Sequence, residues 1–543
     1  MGGMTVAGEH QKYWARNRTS WWKVKKYLIY APLWKKRHNL EIKLSSAINM
    51  GTLPSRLHAI MLFAYLTVNI SYICNLDYTK PDKYSIVAEL RGRSGVLSLV
   101  NLLPLFILAG RNNPLIPILQ ISFDTYNLIH RWMGRMVVLE ATIHTLAWAY
   151  VKHAGFGWAG IGYQLVHDPF AGWGFVGTCA LIIIVLLSPS PIRHAFYETF
   201  LCIHILLAMT ALCGIMMHIK IPNLPQVPLM IAIISLWAAD RLGRMARLLY
   251  YNYSSRGWTS ATVEALPGNA TRVTMHLPKY VNIKPGTHAY LRFSSLKVWE
   301  SHPFSIAWVE HTTLSPTQTE KRPSSGEIED GVLAAPKRID YANTTTDVSF
   351  IIHSHTGVTK LLYDRVGTNP TRGITLRAAL EGPYGGHHSL DSYGTCVLFA
   401  GSSGITHQIP YLRHLIQGFT DGTVCTRKIV LVWIIRDVEH LEWVRPWMDE
   451  ILRMPGRRDI LTVKLFVTRP KNPREIVSPS QSVQMFPGRP DVKLLVRKEV
   501  ETQMGAMCVT VCGPGGLADN VREVVREVQE DGMVDFIEES FTW

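Results

Sequence analysis

The stretch HRWMGRMVVLEATIH, residues 130–144, lies between the apolar flanks FDTYNLI and TLAWAY, so a histidine stands at each end of a segment fit for a membrane interior. Residues 204–218, HILLAMTALCGIMMH, repeat the arrangement. A polar side chain in hydrocarbon is costly unless something satisfies it, so any fold for this chain must give all four imidazoles a partner. Within each segment the two histidines are fourteen residues apart. On an α-helix that separation is about 40° short of four turns and about 21 Å of rise, which keeps both rings on one face at two depths.

Apolar runs able to cross a bilayer, at about 20 residues per crossing, number about six: roughly 56–76, 93–110, 123–150, 171–188, 195–219 and 224–239. The second is the weakest, being interrupted by Pro104. After residue 240 the chain changes to short strand-like pieces, Gly/Pro turns and charged helices. The net charge of +15 comes from Lys and Arg clustered at the ends of apolar runs, not interleaved with aromatics along a groove, which fits membrane topology and excludes nucleic acid as the partner. WWKVKKY, WKKRHNL, Arg111, Arg193 and DRLGRMARLL put both termini in the cytoplasm, with Arg91 and Arg93 falling outside against the trend. Residues 1–54 form a basic, Trp-rich cytosolic or interfacial lead-in without a cleavable signal pattern. The eight cysteines are scattered with no metal-type CxxC pair, so no structural disulfide is expected.

With both termini inside, the third and fifth spans run in the same direction. His130 then faces His204 towards the cytoplasm, and His144 faces His218 towards the outside. Neutral imidazole is a strong iron ligand, and a porphyrin between two helices would satisfy both rings, so two bis-histidine haems stacked across the membrane are expected. The plainer alternative is four histidines bonded to neighbouring backbones, or a proton path. His58, His153, His167 and His194 have no such partners and read as interface or loop residues, and VKHAGFGWAGIGYQLVHDPFAGW as an outer loop.

A haem takes one electron at a time, so something upstream must split a hydride. Residues 258–310 read as a small antiparallel barrel ending in HPFSIAW, followed by a flexible insertion at 311–347. In VSFIIHSHTGVTKLLY a strand passes through Gly357 into a helix whose N-terminus suits a phosphate. TCVLFA, KIVLVWII, LTVKLFVT and AMCVTVC lack polar alternation, as expected of strands covered on both faces. GSSGIT after the first and CGPGG after the last are Gly-rich turns that let backbone amides approach a dinucleotide.

AGRNNPL at 109–115, the two histidine pairs, HPFSIA, EGPYG, GSSGIT, VCGPGG and the terminal EESFTW, in this order, resemble the fungal ferric reductase family, relatives of the NADPH oxidases. The resemblance implies a multi-domain chain: an α-helical transmembrane haem domain at 55–242, a β-barrel FAD-binding domain at 255–390 and an α/β NADPH-binding domain of ferredoxin-reductase type at 391–543. It implies FAD, NADPH and two haems b as cofactors. By resemblance, His302, Pro303, Phe304 and Ser305 hold the flavin, with Glu381, Gly382, Pro383 and Tyr384 beside it; Gly357 and Thr359 cradle its pyrophosphate, where His353 and His355 replace a more basic residue. Gly401, Gly404, Ile405 and Thr406 match the NADPH loop, and Cys512, Gly513 and Pro514 the segment beside the nicotinamide, with Cys512 orienting rather than attacking. Arg436 suits the 2′-phosphate, and Trp543 the aromatic that covers the flavin. Such proteins pass electrons to chelated Fe(III) or Cu(II) beyond the membrane, in the plasma membrane or alternatively the vacuolar one, and a ferroxidase and permease are the uptake partners the resemblance suggests. Longer members have a further N-terminal span with no match here. Two rival readings stay open: an NADPH oxidase reducing oxygen to superoxide, and a haem-free transporter with a vestigial reductase tail.

Overall fold

The computed structural model describes residues 20–35, 37–42, 52–313, 341–367, 373–386, 388–470, 472, 476–478 and 480–539. They divide into a helical unit, Lys23–Arg244, and a second unit from Met245 onward.

Six long helices dominate the first unit: α1 (Arg56–Cys74), α2 (Lys83–Ala109), α3 (Phe123–His167), α4 (Pro169–Leu187), α5 (Tyr197–Lys220) and α6 (Val227–Asn252), the last running on past the division. By length and composition α1, α2, α4 and α5 can cross a membrane, whereas α3 and α6 do not meet that test. Side-chain caps start α1, α2 and α4: Ser55, Asp82 and Asp168 each accept a hydrogen bond from the first turn. Pro104 does not interrupt α2, which continues to Ala109. Proline removes one backbone donor, and packing against neighbouring helices makes that tolerable in an apolar span. The expected outer loop is also corrected: residues 151–167 continue α3, bent at Gly157, whose φ of 63° only glycine adopts at little cost. The chain then turns at Asp168 straight into α4. A Cβ on Gly214 would lie 2.8 Å from the Gly177 nitrogen, so α4 and α5 meet backbone to backbone.

In the second unit, β1 (Ser260–Leu266), β2 (Ala270–Leu277), β3 (Thr287–Phe293), β4 (Lys297–Ser305), β5 (Trp308–Thr313), β6 (Thr344–His353) and β7 (Ile374–Gly385) form one antiparallel sheet in the order β4-β3-β7-β1-β2-β6-β5. Val263, Val273, Met275, Leu291 and Phe350 fill its interior, and α7 (Val358–Gly367) packs Leu362 and Val366 onto it. The ends of the expected 311–347 loop are strand, since β5 and β6 pair from Trp308↔Ser349 to Thr313↔Thr344, and residues 314–340 lie outside the described residues.

Next come β8 (Thr395–Gly401), α8 (Ile405–Asp421), β9 (Lys428–Ile435), α9 (Arg445–Arg453), β10 (Leu461–Val467), β11 (Val483–Pro487), α10 (Val492–Glu501), β12 (Met507–Cys512), α11 (Gly515–Glu527) and β13 (Val534–Glu539). Their sheet is parallel throughout, ordered β11-β10-β9-β8-β12-β13. Every residue of β8 and β12 is buried, which is why their sequences lack polar alternation. The strand order reverses between β8 and β12, so a crevice opens at their carboxyl ends.

Candidate functional site

In the helical unit the four histidines meet in two couples. The ring centres of His130 and His204 are 6.3 Å apart with planes at 65°, and those of His144 and His218 are 6.1 Å apart at 82°. Two imidazoles sharing one metal need about 6 Å between ring centres, from ~2 Å per metal–nitrogen bond and ~1 Å from each nitrogen to its ring centre. The rings are oriented by backbone. Nδ1 of His130 is 3.0 Å from the Leu105 carbonyl oxygen, that of His144 2.8 Å from Arg91 O, and that of His218 2.8 Å from Phe170 O. A carbonyl only accepts, so each Nδ1 carries the proton and Nε2 keeps its lone pair for a metal. Nδ1 of His204 is buried with no partner among the described residues. Among these residues no three His, Cys, Asp or Glu side chains converge, so each couple offers two ligands and suits a metal whose remaining ligands come from a planar macrocycle. The four residues thus fit the expected haems.

Three supporting features escaped the sequence reading. A Cβ on Gly95 would stand 2.5 Å from Nδ1 of His144, and one on Gly174 2.7 Å from Nδ1 of His218, so both glycines make room for an imidazole. Each follows by four residues the carbonyl that its histidine bonds, Arg91 and Phe170; at His130 the corresponding residues are Leu105 and Ala109. A small residue one turn beyond the acceptor was the available signal. The third feature is Glu140, fully buried on α3, both of whose oxygens lie 3.0 Å from Asn101 Nδ2, itself 2.8 Å from Asn69 Oδ1.

In the second unit, β3 brings two distant motifs together. His302, Pro303, Phe304 and Ser305 pair with Leu291 to His288 on one side of it, while Glu381 and Tyr384 pair with Tyr290 and His288 on the other. Glu381 is buried, 3.0 Å from the Arg292 guanidinium, and accepts the Tyr384 hydroxyl at 3.2 Å. The Gly382–Pro383 peptide is cis. His302 Nε2 is 3.5 Å from Glu300, whose other oxygen is 2.5 Å from Lys297. Gly357, at φ 63°, is followed by α7, and a Cβ there would be 3.9 Å from Glu300, so the turn expected to take the pyrophosphate lies beside HPFS. Thr359 Oγ1 closes this turn, accepting the His355 amide at 3.1 Å and donating to Thr356 O at 3.0 Å. Burial, then His355, pushes the His353 imidazole below its ordinary range, so it adds no charge for a phosphate.

The crevice of the parallel sheet gathers the remaining positions. A Cβ on Gly404 would run into the Cys512 carbonyl, and one on Gly513 would stand 2.9 Å from Gly401 Cα, so the two turns meet through glycine. Ile405 is core and Thr406 donates to Ser403 O at 2.8 Å, so their side chains shape the turn, and the Ile405 amide closes it on Ser402 O and Ser403 O. Pro514 precedes α11. Cys512 is buried, and burial followed by the charges of Glu539 and Glu538 pushes its thiol up, so it is not a thiolate nucleophile. Arg436 is exposed just beyond β9. Its carbonyl accepts the amide of Arg469, exposed just beyond β10, at 3.0 Å; the sequence reading missed Arg469 because strand adjacency, not sequence, brings the two together. Trp543 lies outside the described residues.

Three families match the chain: "Ferric reductase like transmembrane component" over 94–215, "FAD-binding domain" over 255–316 and "Ferric reductase NAD binding domain" over 393–476 and 471–526. "Ferric reductase transmembrane component 3" of Saccharomyces cerevisiae is 25% identical over 96% of this chain and 71% of its own length. "Ferric/cupric reductase transmembrane component 2" of the same yeast is 24% identical over 91% and 68%. "Probable cell surface ferric reductase kap2" of Aspergillus oryzae is 27% identical over 65% and 44%.

Proposed function

Because this chain belongs to the ferric reductase family and is a multi-pass membrane oxidoreductase using NAD(P)H, we propose that it carries electrons from cytosolic NADPH through FAD and two bis-histidine haems b to chelated Fe(III), with Cu(II) as a second acceptor, across the plasma membrane. The observation that carries the haem assignment is the pair of imidazole couples, 6.3 and 6.1 Å across, with three of four Nδ1 atoms turned to backbone carbonyls. The flavin supplies the conversion of a hydride into single electrons, and the haems supply single-electron relay. The chain's own part is placement. Gly401, Gly404 and Gly513 let backbone amides reach the dinucleotide, Cys512 orients the nicotinamide as a neutral thiol, and Arg436 with Arg469 takes the 2′-phosphate. No general acid or base is required of the acceptor side, since electron transfer alone completes the reaction. Domain limits near 55–242, 255–390 and 391–543 go with this reading.

The test is a reduced-minus-oxidised spectrum of the purified protein beside His130→Ala and His144→Ala. Each substitution is expected to remove one haem, and a parent lacking a Soret band would end the haem assignment. Chelated-iron reduction by intact cells is expected to persist with superoxide dismutase present; its disappearance would assign oxygen as the acceptor instead.

A further inference from the structure

In the second unit the chain leaves each expected cofactor site towards the same place. HPFSIAW runs from the residues expected to hold the flavin straight into Trp308, which opens β5 three residues after Ser305. On the nucleotide side, α8 begins at the GSSGIT turn and carries Arg413 about 12 Å further along, while α9 follows β9 and Arg436 and carries Trp447. All of these residues lie in the one unit from Met245 onward.

The antiparallel and parallel sheets meet through these side chains. The indoles of Trp308 and Trp447 stack at 11° with ring centres 5.9 Å apart, and both residues are buried. Each indole also carries a guanidinium: that of Arg413 lies 4.2 Å from the Trp308 ring centre, and that of Arg272, on β2, 5.3 Å from the Trp447 ring centre. A cation over an aromatic face gains most where water is excluded, as it is around two buried rings. Arg413 further donates to Val309 O at 2.8 Å and pairs with Glu450 at 2.9 Å, so one guanidinium ties β5, α8 and α9 together. Arg272 donates to the Glu442 and Trp443 carbonyls at 3.4 and 3.2 Å, and the buried Trp443 donates its indole N–H to Pro267 O, between β1 and β2, at 2.7 Å. Ala307, Trp308 and Ile351 of the antiparallel layer share one hydrophobic core with Leu412, Trp443 and Trp447 of the parallel layer. Sliding one layer over the other would break the ring stack and these hydrogen bonds together.

We propose that Trp308, Trp447, Arg272 and Arg413 are positioning residues for hydride transfer, the step in which NADPH is oxidised to NADP+ and the flavin takes up the two electrons. They act through the segments they clamp: the strand that ends in HPFS on one side, and the helices that follow the Gly-rich turn and β9 on the other. Joining these segments sets how far the nicotinamide crevice stands from the flavin strand. A misplacement of about 1 Å between reacting groups costs roughly a hundredfold in rate, so a small slip between the layers is enough to be read in the kinetics. The inference rests on the NADPH-to-flavin step of the proposed function, and not on haems, acceptor or membrane orientation.

The test is anaerobic stopped-flow reduction of the flavin by NADPH in the full-length protein, each rate taken per bound FAD. Trp447→Leu and Arg413→Gln are each expected to lower the limiting rate about tenfold or more while the half-saturating NADPH concentration changes less than about twofold, as befits an interaction felt at the reacting atoms. Trp447→Phe keeps an aromatic face and is expected to stay within about threefold of the parent. The long-wavelength charge-transfer absorbance of NADP+ beside reduced flavin should weaken in step with the rate. A merely structural clasp would lower FAD content or thermal stability and leave the rate per bound FAD unchanged; that outcome would overturn the inference, as would a loss confined to the half-saturating concentration. Should Trp447→Leu fail to hold FAD, Arg413→Gln, at a partly exposed position, decides alone. A parent whose flavin NADPH cannot reduce would overturn the proposed function together with this inference, whereas a competent parent with equally fast variants overturns the inference alone.

Discussion

Two buried side chains in the nucleotide-binding layer make separate predictions. His407 on α8 is 4% exposed, and burial, then His388, pushes its imidazole to about 4. Between about pH 6.5 and pH 4 the unfolded chain takes up a proton there that the folded protein refuses. Stability from this site is therefore complete above that window and lost as pH falls through it, by roughly 3 kcal/mol in total. His407→Asn is expected to flatten the acid limb of a stability–pH curve measured by urea unfolding of the membrane-extracted protein. Under the proposed function Cys512 acts through shape: Cys512→Ala should retain FAD and slow anaerobic flavin reduction by NADPH by about tenfold or more, because small misplacements are costly in hydride transfer.

At the level of elements, close helix approach positions the four histidines proposed to hold the haems. Gly174→Ala puts a methyl into the space of His218, and Gly95→Ala into that of His144, so each should erase the outer haem's contribution to the difference spectrum and leave the inner one. On the parallel sheet, Arg436→Ala and Arg469→Ala are each expected to raise the KM for NADPH about tenfold while leaving NADH turnover nearly unchanged, as loss of one guanidinium–phosphate contact of about 1.4 kcal/mol would do. The histidine couples, the glycine turns and the all-buried strands were legible because each is written in side-chain identity and spacing. What stayed hidden depends on backbone or on tertiary neighbours. The carbonyls of Arg91, Leu105 and Phe170 carry no sequence mark, Arg469 becomes relevant only because β10 lies beside β9, and residues 151–167 looked like a loop because their glycines conceal a helix that bends only at Gly157.

For the whole molecule, separate units imply separable half-reactions. His130→Ala is expected to leave NADPH-driven flavin reduction intact and to abolish reduction of external iron chelates, measured on one preparation by flavin absorbance and by a ferrous-specific chromophore. The tethering of the rings is also uneven. Three imidazoles are held by carbonyls, whereas among the described residues Nδ1 of His204 has no such hold, and it belongs to the couple nearer the flavin in the proposed route. Under the proposed function His204 would hold the inner haem without a carbonyl to fix its ring, with the Phe200 ring, 5.4 Å away, beside it. The inner centre should therefore give the broader low-temperature resonance, and be the first to bleach as detergent or heat loosens the bundle.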